Sequence, residues 1–512
     1  MLTDVKCDQI KTGCSQCLRA DKACPGYRDL TKLLFRDENE TVLRKVNSSK
    51  DHTGVQGTRK VVNLLTPRTT SPENKSTTSG VTWKSLILRS AANSQPLYKQ
   101  VFTGIEDEGI NFFFANYITA SSRTKTWKIN PSQSPLWESM RNNLILCNAV
   151  SAVGLAGLSN VRKSQTHMIV ARKKYAVALH EVISILDTTD SVDLNTTFKA
   201  VTMLAAFEIV SGTSEAADGW GAHIGGAASL LPMINARYSG IRAVTRIQTQ
   251  MFFSVMIKCI TKAERVPQSL ERWCADIRKL IHLDDAPVAD LISIAVRLVN
   301  LHASTQKTDS FIDSSDVAEE ASRLEIELGH WENSLPINWR FSVIPWSQDS
   351  EDIYNGHIHV YQDLWTARVW NNYRQTRIRV NEMFLVHADS LRKLGKCSNE
   401  DRVQRGRCLA TISRIAEDTC ASVSCQFHHD ANKKLLEQRA SQASGAYLIL
   451  CPLVVAASAI GVSKAIHDFA ARRLETIGKT KGIQQALYMA ERARINRARW
   501  ETARLRRVQE QK

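Results

Sequence analysis

Apolar residues recur every three to four positions from Gly104 onward, and this period commits most of the chain to a helical array. Ile110, Phe113, Phe114, Tyr117 and Ile118 share one face. Ser134 followed by Pro135 reads as a helix cap and a first helical position, opening a helix through Leu136, Met140, Leu144 and Val150 that fades near Gly154 and Gly157. A second helix is expected over 164–186 and a third from Leu194 to Val210, with the acidic segment from Asp187 to Asp193 as the turn between them. Strand signals are nearly absent; His357 and His359, flanking Ile358, read as a helix start or loop. No repeat of fixed period is visible, so the expectation is a mostly-α protein without a regular solenoid.

A chain of 512 residues, 43% hydrophobic, is long enough for one large or two medium cores. Its formal charge of +16 favours contact with polyanions. Between about Asn47 and Lys99 the composition turns to Ser, Thr, Asn, Lys and Pro, too poor in apolar groups to offset ordering entropy, which reads as a disordered linker. The expected organisation is a cysteine-rich module over 1–36, a linker over 37–99, an all-α domain over 100–490 and a basic tail over 491–512. The opening residues do not read as a secretory signal. The nearest approach to a membrane span, Gly445 to Val462, is short of the required ~20 residues and is broken by Pro452. It reads as a buried helix, and no membrane partner is expected. Cys147, Cys259, Cys274 and Cys451 sit among apolar neighbours as small, reduced core residues.

Cys7, Cys14, Cys17 and Cys24 stand apart, with the spacing C-x6-C-x2-C-x6-C and Pro25-Gly26-Tyr27 after the last. Thiolates this close suit zinc, which takes four sulfur ligands tetrahedrally and supplies folding energy to a segment too small for a core. Two readings stand: one Zn2+ closed by the four thiolates, or a cysteine remnant without metal. The pattern resembles the last two thirds of the fungal binuclear zinc cluster, a DNA-binding module of six cysteines around two zinc ions. That resemblance implies that Cys14 bridges, that Cys17 and Cys24 complete one ion, and that Cys7 serves the other. It also implies DNA contacts for Lys6, Lys11 and Arg19. The family's second cysteine corresponds to a position one residue before Met1, and Met1-Leu2-Thr3-Asp4 stand where its basic recognition helix is expected. The expectation is a truncated cluster with one zinc rather than two and impaired sequence-specific binding.

The helical region is similar to the fungal-specific transcription factor domain that accompanies such clusters. The similarity rests on the segments Glu106–Tyr117, Ala156–Val161, Ala171–Leu179, Trp220–Leu231, Leu364–Arg374 and Ala446–Leu453, in that order. It implies a nuclear, regulatory, non-catalytic domain that works through an effector, a coregulator or a homodimer. The chain is thus expected to be a transcription regulator; the alternative is a helical interaction protein that sequesters a regulator's partners without binding DNA.

Other constellations are weaker. Trp220 and His223 share a helix face and read either as the wall of an effector pocket or as a packing contact where Gly225 and Gly226 admit a close helix. Cys420, Cys425, His428 and His429 resemble metal ligands, but adjacent histidines crowd a tetrahedral site. No phosphate loop, dinucleotide fingerprint, nucleophile elbow or zinc-hydrolase signature occurs, which argues against an enzyme. Arginines at 492, 494, 497, 499, 504, 506 and 507 form a basic helix that reads as an import signal, a phosphate-contacting arm or a solvated last helix.

Overall fold

Asn143 interrupts the helix expected after Pro135. Its side chain accepts a hydrogen bond from the Leu146 amide at 2.9 Å and caps a new helix. The computed structural model describes residues 104–117, 135–188, 193–212, 216–237, 244–306, 314–346, 350–393, 395, 398–427 and 443–509. The expected cysteine module and disordered linker lie outside them, as does Ser134. All described residues belong to one compact unit, 99–512.

The unit is mostly α. In chain order the helices are α1 (Ile105–Asn116), α2 (Pro135–Arg141), α3 (Leu144–Arg162), α4 (Gln165–Thr188), α5 (Leu194–Ser211) and α6 (Ala216–Arg237). There follow α7 (Arg246–Lys262), α8 (Gln268–Leu280), α9 (Ala286–Thr305) and α10 (Ser314–Ser334). After a short ladder come α11 (Leu364–Lys393), α12 (Asn399–Ala421), α13 (Val423–Phe427), α14 (Ala443–Ser458), α15 (Lys464–Lys481) and α16 (Gln484–Gln509). Short 3-10 turns at Leu283–Asp285 and Ile337–Trp339 precede α9 and the ladder.

Two helices act as hubs. α3 packs against α1, α4, α5 and α15, and α11 packs against α9, α10, α12 and α14. α14 joins the two halves by contacting α11 on one side and α15 and α16 on the other. α3 is buried on all sides from Asn148 to Ser159, which is why its sequence is mostly apolar all round. The expected fading at Gly154 and Gly157 does not occur. Both glycines sit inside α3 because α1 crosses there: a Cβ on Gly154 would lie 1.9 Å from the Gly109 carbonyl oxygen. A Cβ on Gly157 would meet the Tyr117 hydroxyl, which instead donates to the Lys481 carbonyl at 3.1 Å. One turn on, the Asn160 amide donates to the carbonyls of Val210 at 2.7 Å and Gly482 at 2.8 Å. Gly482 has φ +68, so a left-handed residue ends α15 against α3.

Three further expectations are corrected. His357 and His359 lie in neither a helix start nor a loop but in β2 (His357–Val360), antiparallel to β1 (Ser342–Pro345) with Ile344 opposite Ile358. The strands are only four residues long and β1 is exposed throughout, so neither shows a clean alternation to read. Pro452 does not break the apolar run; α14 continues through it, with Ile449 and Leu450 buried before it and Leu453 and Ala456 after. Packing on both sides of the proline offsets the missing amide bond. Finally, among the described residues the segments long and apolar enough to cross a membrane are Leu144–Arg162 and Leu283–Thr305, not 445–462. The first is 72% buried within the domain.

Candidate functional site

Cys7, Cys14, Cys17, Cys24, Lys6, Lys11 and Arg19 lie outside the described residues, as do His428 and His429. Cys420 is buried on α12 and its thiol is pushed up by burial, while the Cys425 thiol on α13 donates to the Ser422 carbonyl at 2.9 Å. Among the described residues no three His, Cys, Asp or Glu side chains gather as metal ligands. Cys259 and Cys274 are buried free thiols; Cys147 and Cys451 are free and half-buried.

Trp220 and His223 belong to a polar cluster that draws on three helices. The Tyr175 hydroxyl, from α4, donates to Glu208 Oε1 on α5 at 2.5 Å and lies 2.8 Å from His223 Nε2 on α6. Burial, then the Glu208 carboxylate, pushes the Tyr175 hydroxyl above its ordinary range, so it keeps its proton and donates it to Glu208. It then accepts from His223, which places that residue's proton on Nε2. The Tyr175 ring stacks on Phe207 at 4.4 Å, and Tyr447 of α14 lies beside Trp220. The glycine that permits this approach is Gly219, where a Cβ would fall 2.7 Å from Glu208 Cδ. Gly225 and Gly226 have room for one, with nearest atoms at 3.9 Å. Each group of the Tyr175–Glu208–His223 set is satisfied by another, so the cluster acts as a latch between α4, α5 and α6.

A second cluster centres on Arg374 of α11, which is 1% exposed. Its Nη1 donates to Asn371 Oδ1 at 2.9 Å and its Nη2 to His359 Nδ1 at 3.1 Å. Phe341, Trp370 and Tyr361 present ring centroids 5.2, 5.5 and 5.8 Å from the guanidinium carbon. Cation–π attraction of roughly 0.5–2 kcal/mol per ring offsets part of the desolvation of so deep a charge. His359 stacks on Phe341 at 4.3 Å, and its Nε2 stands 3.7 Å from Asp418 Oδ1. Burial first, then the charges of Arg374 and His357, pull the His359 imidazole down to about 2. It is a neutral acceptor for the guanidinium. Burial raises the Asp418 carboxyl, against the opposing pull of Arg374 and Arg414.

This arrangement has a pH consequence. An unfolded histidine titrates near 6.5, whereas His359 stays neutral in the fold far below that. Its contribution to stability is complete above pH ~6.5 and falls by up to about 1.4 kcal/mol for each unit below. His359→Asn keeps an acceptor near the Nδ1 position and removes the titration. Urea unfolding at pH 6.5 and 4.5 should show a stability loss about 2–3 kcal/mol smaller in the variant than in the natural chain. Equal losses in the two proteins would contradict the neutral assignment.

Beside this cluster, Arg377 ties α11 to α10. Its Nε and Nη2 donate to Glu325 Oε1 at 2.9 and 2.6 Å and its Nη1 to Glu332 Oε2 at 2.6 Å. Glu332 also receives both terminal nitrogens of Arg414 from α12, each at 3.0 Å. Arg414 and the Tyr373 hydroxyl outweigh burial and hold the Glu332 carboxyl below its usual range. The Arg374 and Arg377 clusters went unnoticed in the sequence. A signal existed: Arg374 falls four residues after Trp370 and three after Asn371, on the face that is buried. Its partners, on β2 and α12, follow no local spacing.

No family model matches the chain, and no curated protein or solved structure matches it.

Proposed function

We propose that the chain is a transcription regulator of the fungal zinc-cluster type, with a cysteine module that binds zinc and contacts DNA and a helical domain that governs its activity in the nucleus. The observation that carries this reading is the C-x6-C-x2-C-x6-C spacing of Cys7, Cys14, Cys17 and Cys24, joined on one chain to an all-α domain. The segments on which the family resemblance rests support it in a second way. Trp220 and His223, Trp365 to Arg374, and Tyr447 to Leu453 supply the polar latches and the α14 bridge of that domain rather than its loops. A regulatory domain of this kind acts by shifting between packings that a partner or effector binds unequally. The latches at His223 and Arg374 are the natural places for such a shift, since the first joins α4, α5 and α6 and the second joins α11 to β2 through a few hydrogen bonds.

Mobility-shift titrations of the full chain against random duplexes, with polyanion competitor and varied salt, test the reading. A regulator retains a competitor-resistant complex on selected sequences, and Cys14→Ser with Cys17→Ser abolishes it. Binding that is weak, steep in salt and indifferent to both substitutions would refute it.

A further inference from the structure

The four described arginines of α16, Arg492, Arg494, Arg497 and Arg499, divide into two sets. Arg494 pairs with Glu475 of α15 at 3.0 Å, and Arg497 donates to the Val462 carbonyl at 2.7 Å and to Glu501. These two, with buried Ala486, Ala490 and Ala493, dock the helix onto the domain. Arg492 and Arg499 are exposed, and no carboxylate among the described residues pairs with either. Seven residues separate them, so they share a face about 10.5 Å apart along the axis. On that face lie Tyr488 and Ile495, 52% and 40% exposed, with the Arg492 guanidinium 5.9 Å from the Tyr488 ring. Glu501 is half a turn away and engaged by Arg497. The docking position of 490 and 493 also means that the basic segment is one continuous helix with the domain, because the boundary expected at 490 falls inside α16.

We propose that this outward face of α16 binds the phosphate backbone of duplex DNA, through Arg492 and Arg499 and independently of the cysteines. Guanidinium forks bind phosphate oxygens in pairs, and two of them about 10 Å apart reach phosphates on either side of a groove 6–12 Å wide. A lipid surface fits less well, because two exposed apolar side chains make no hydrophobic face to bury. Exposed Glu491 lies beside Tyr488 and Ile495 on this face, where the two arginines outnumber it; held rigid by the domain, they give a sequence-independent grip that holds the chain on DNA while another module reads bases. The inference rests on the assignment of duplex DNA as the partner in the proposed function, yet it uses none of the same residues.

Fluorescence anisotropy of the full chain on a labelled random duplex, from 50 to 200 mM salt, provides the test. Arg492→Gln with Arg499→Gln should weaken binding about tenfold or more at 100 mM and reduce the slope of log K against log salt by about 2, at 0.9 per phosphate contact. Arg172→Gln with Lys173→Gln removes the same charge from the exposed face of α4 and should leave the slope unchanged. Circular dichroism should be identical for all three proteins. Equal slope changes in the two double variants, or none in either, would overturn the proposal, since bulk charge alone would then account for binding. Repeating the titration after zinc chelation separates the two readings. A slope that still depends on Arg492 and Arg499 sustains the α16 site even if no selected sequence exists; loss of that dependence on chelation would overturn it.

Discussion

Gly154→Ala should cost the helical domain about 3 kcal/mol or more, although alanine is the better helix former by roughly 1 kcal/mol. The new Cβ would fall 1.9 Å from the Gly109 carbonyl oxygen and 2.6 Å from its carbon, so backbone rather than a flexible side chain must move. That displacement separates α1 from α3 and disturbs Phe113, which is buried at the same crossing. Gly225→Ala provides the opposite sign. There the nearest atoms are the end of Lys258, at 3.9 Å, and the helix gains the propensity term of about 0.5–1 kcal/mol without a clash. Chemical denaturation of both variants measures the difference. Two stabilised proteins would mean that α1 and α3 do not meet at these glycines.

Arg377→Ala is expected to be comparably severe, at about 3 kcal/mol, because it leaves the Glu325 carboxylate without its cation in a half-enclosed site. The Arg377 side chain is 11% exposed and Glu325 19%, so solvent can rescue neither cheaply. Asn381, which donates to Glu325 Oε2 at 2.7 Å, remains to hold one carboxylate, and Arg414 remains on Glu332. Arg377→Lys restores the charge but not the fork that reaches both glutamates, and should recover roughly half of the loss. A drop below 1 kcal/mol for the alanine variant would show that the network is solvated. The pH dependence has a fixed sign for Glu332: its carboxyl is held low in the fold, so its contribution is present above the unfolded value of ~4.3 and is lost as pH falls through the folded one.

The sequence was most readable where helix periodicity and capping agreed. α4 and α5 begin and end within two residues of the segments expected, and Asp193 caps α5 by accepting from the Asn195 and Thr196 amides. It misled where tertiary contact overrides local preference. Gly154 and Gly157 weaken a helix in isolation but let another helix cross, and the crossing partner, Gly109, is 45 residues away in sequence from Gly154. The break at Asn143 was hidden because Leu136, Met140 and Leu144 keep the helical period across it. Trp220 and His223 were legible as a pair on one face, whereas Tyr175 and Glu208, which give them chemical meaning, come from other helices. The cysteine motif was the clearest functional signal in the chain, and it lies outside the described residues.

Selection of binding sites from a random duplex library, using the full chain with and without zinc chelation, tests the central claim most directly. The account predicts that a short sequence motif is enriched only when zinc is present and disappears in the Cys14→Ser and Cys17→Ser variant. No enriched motif under either condition would contradict it, leaving a helical protein whose affinity for DNA is purely electrostatic.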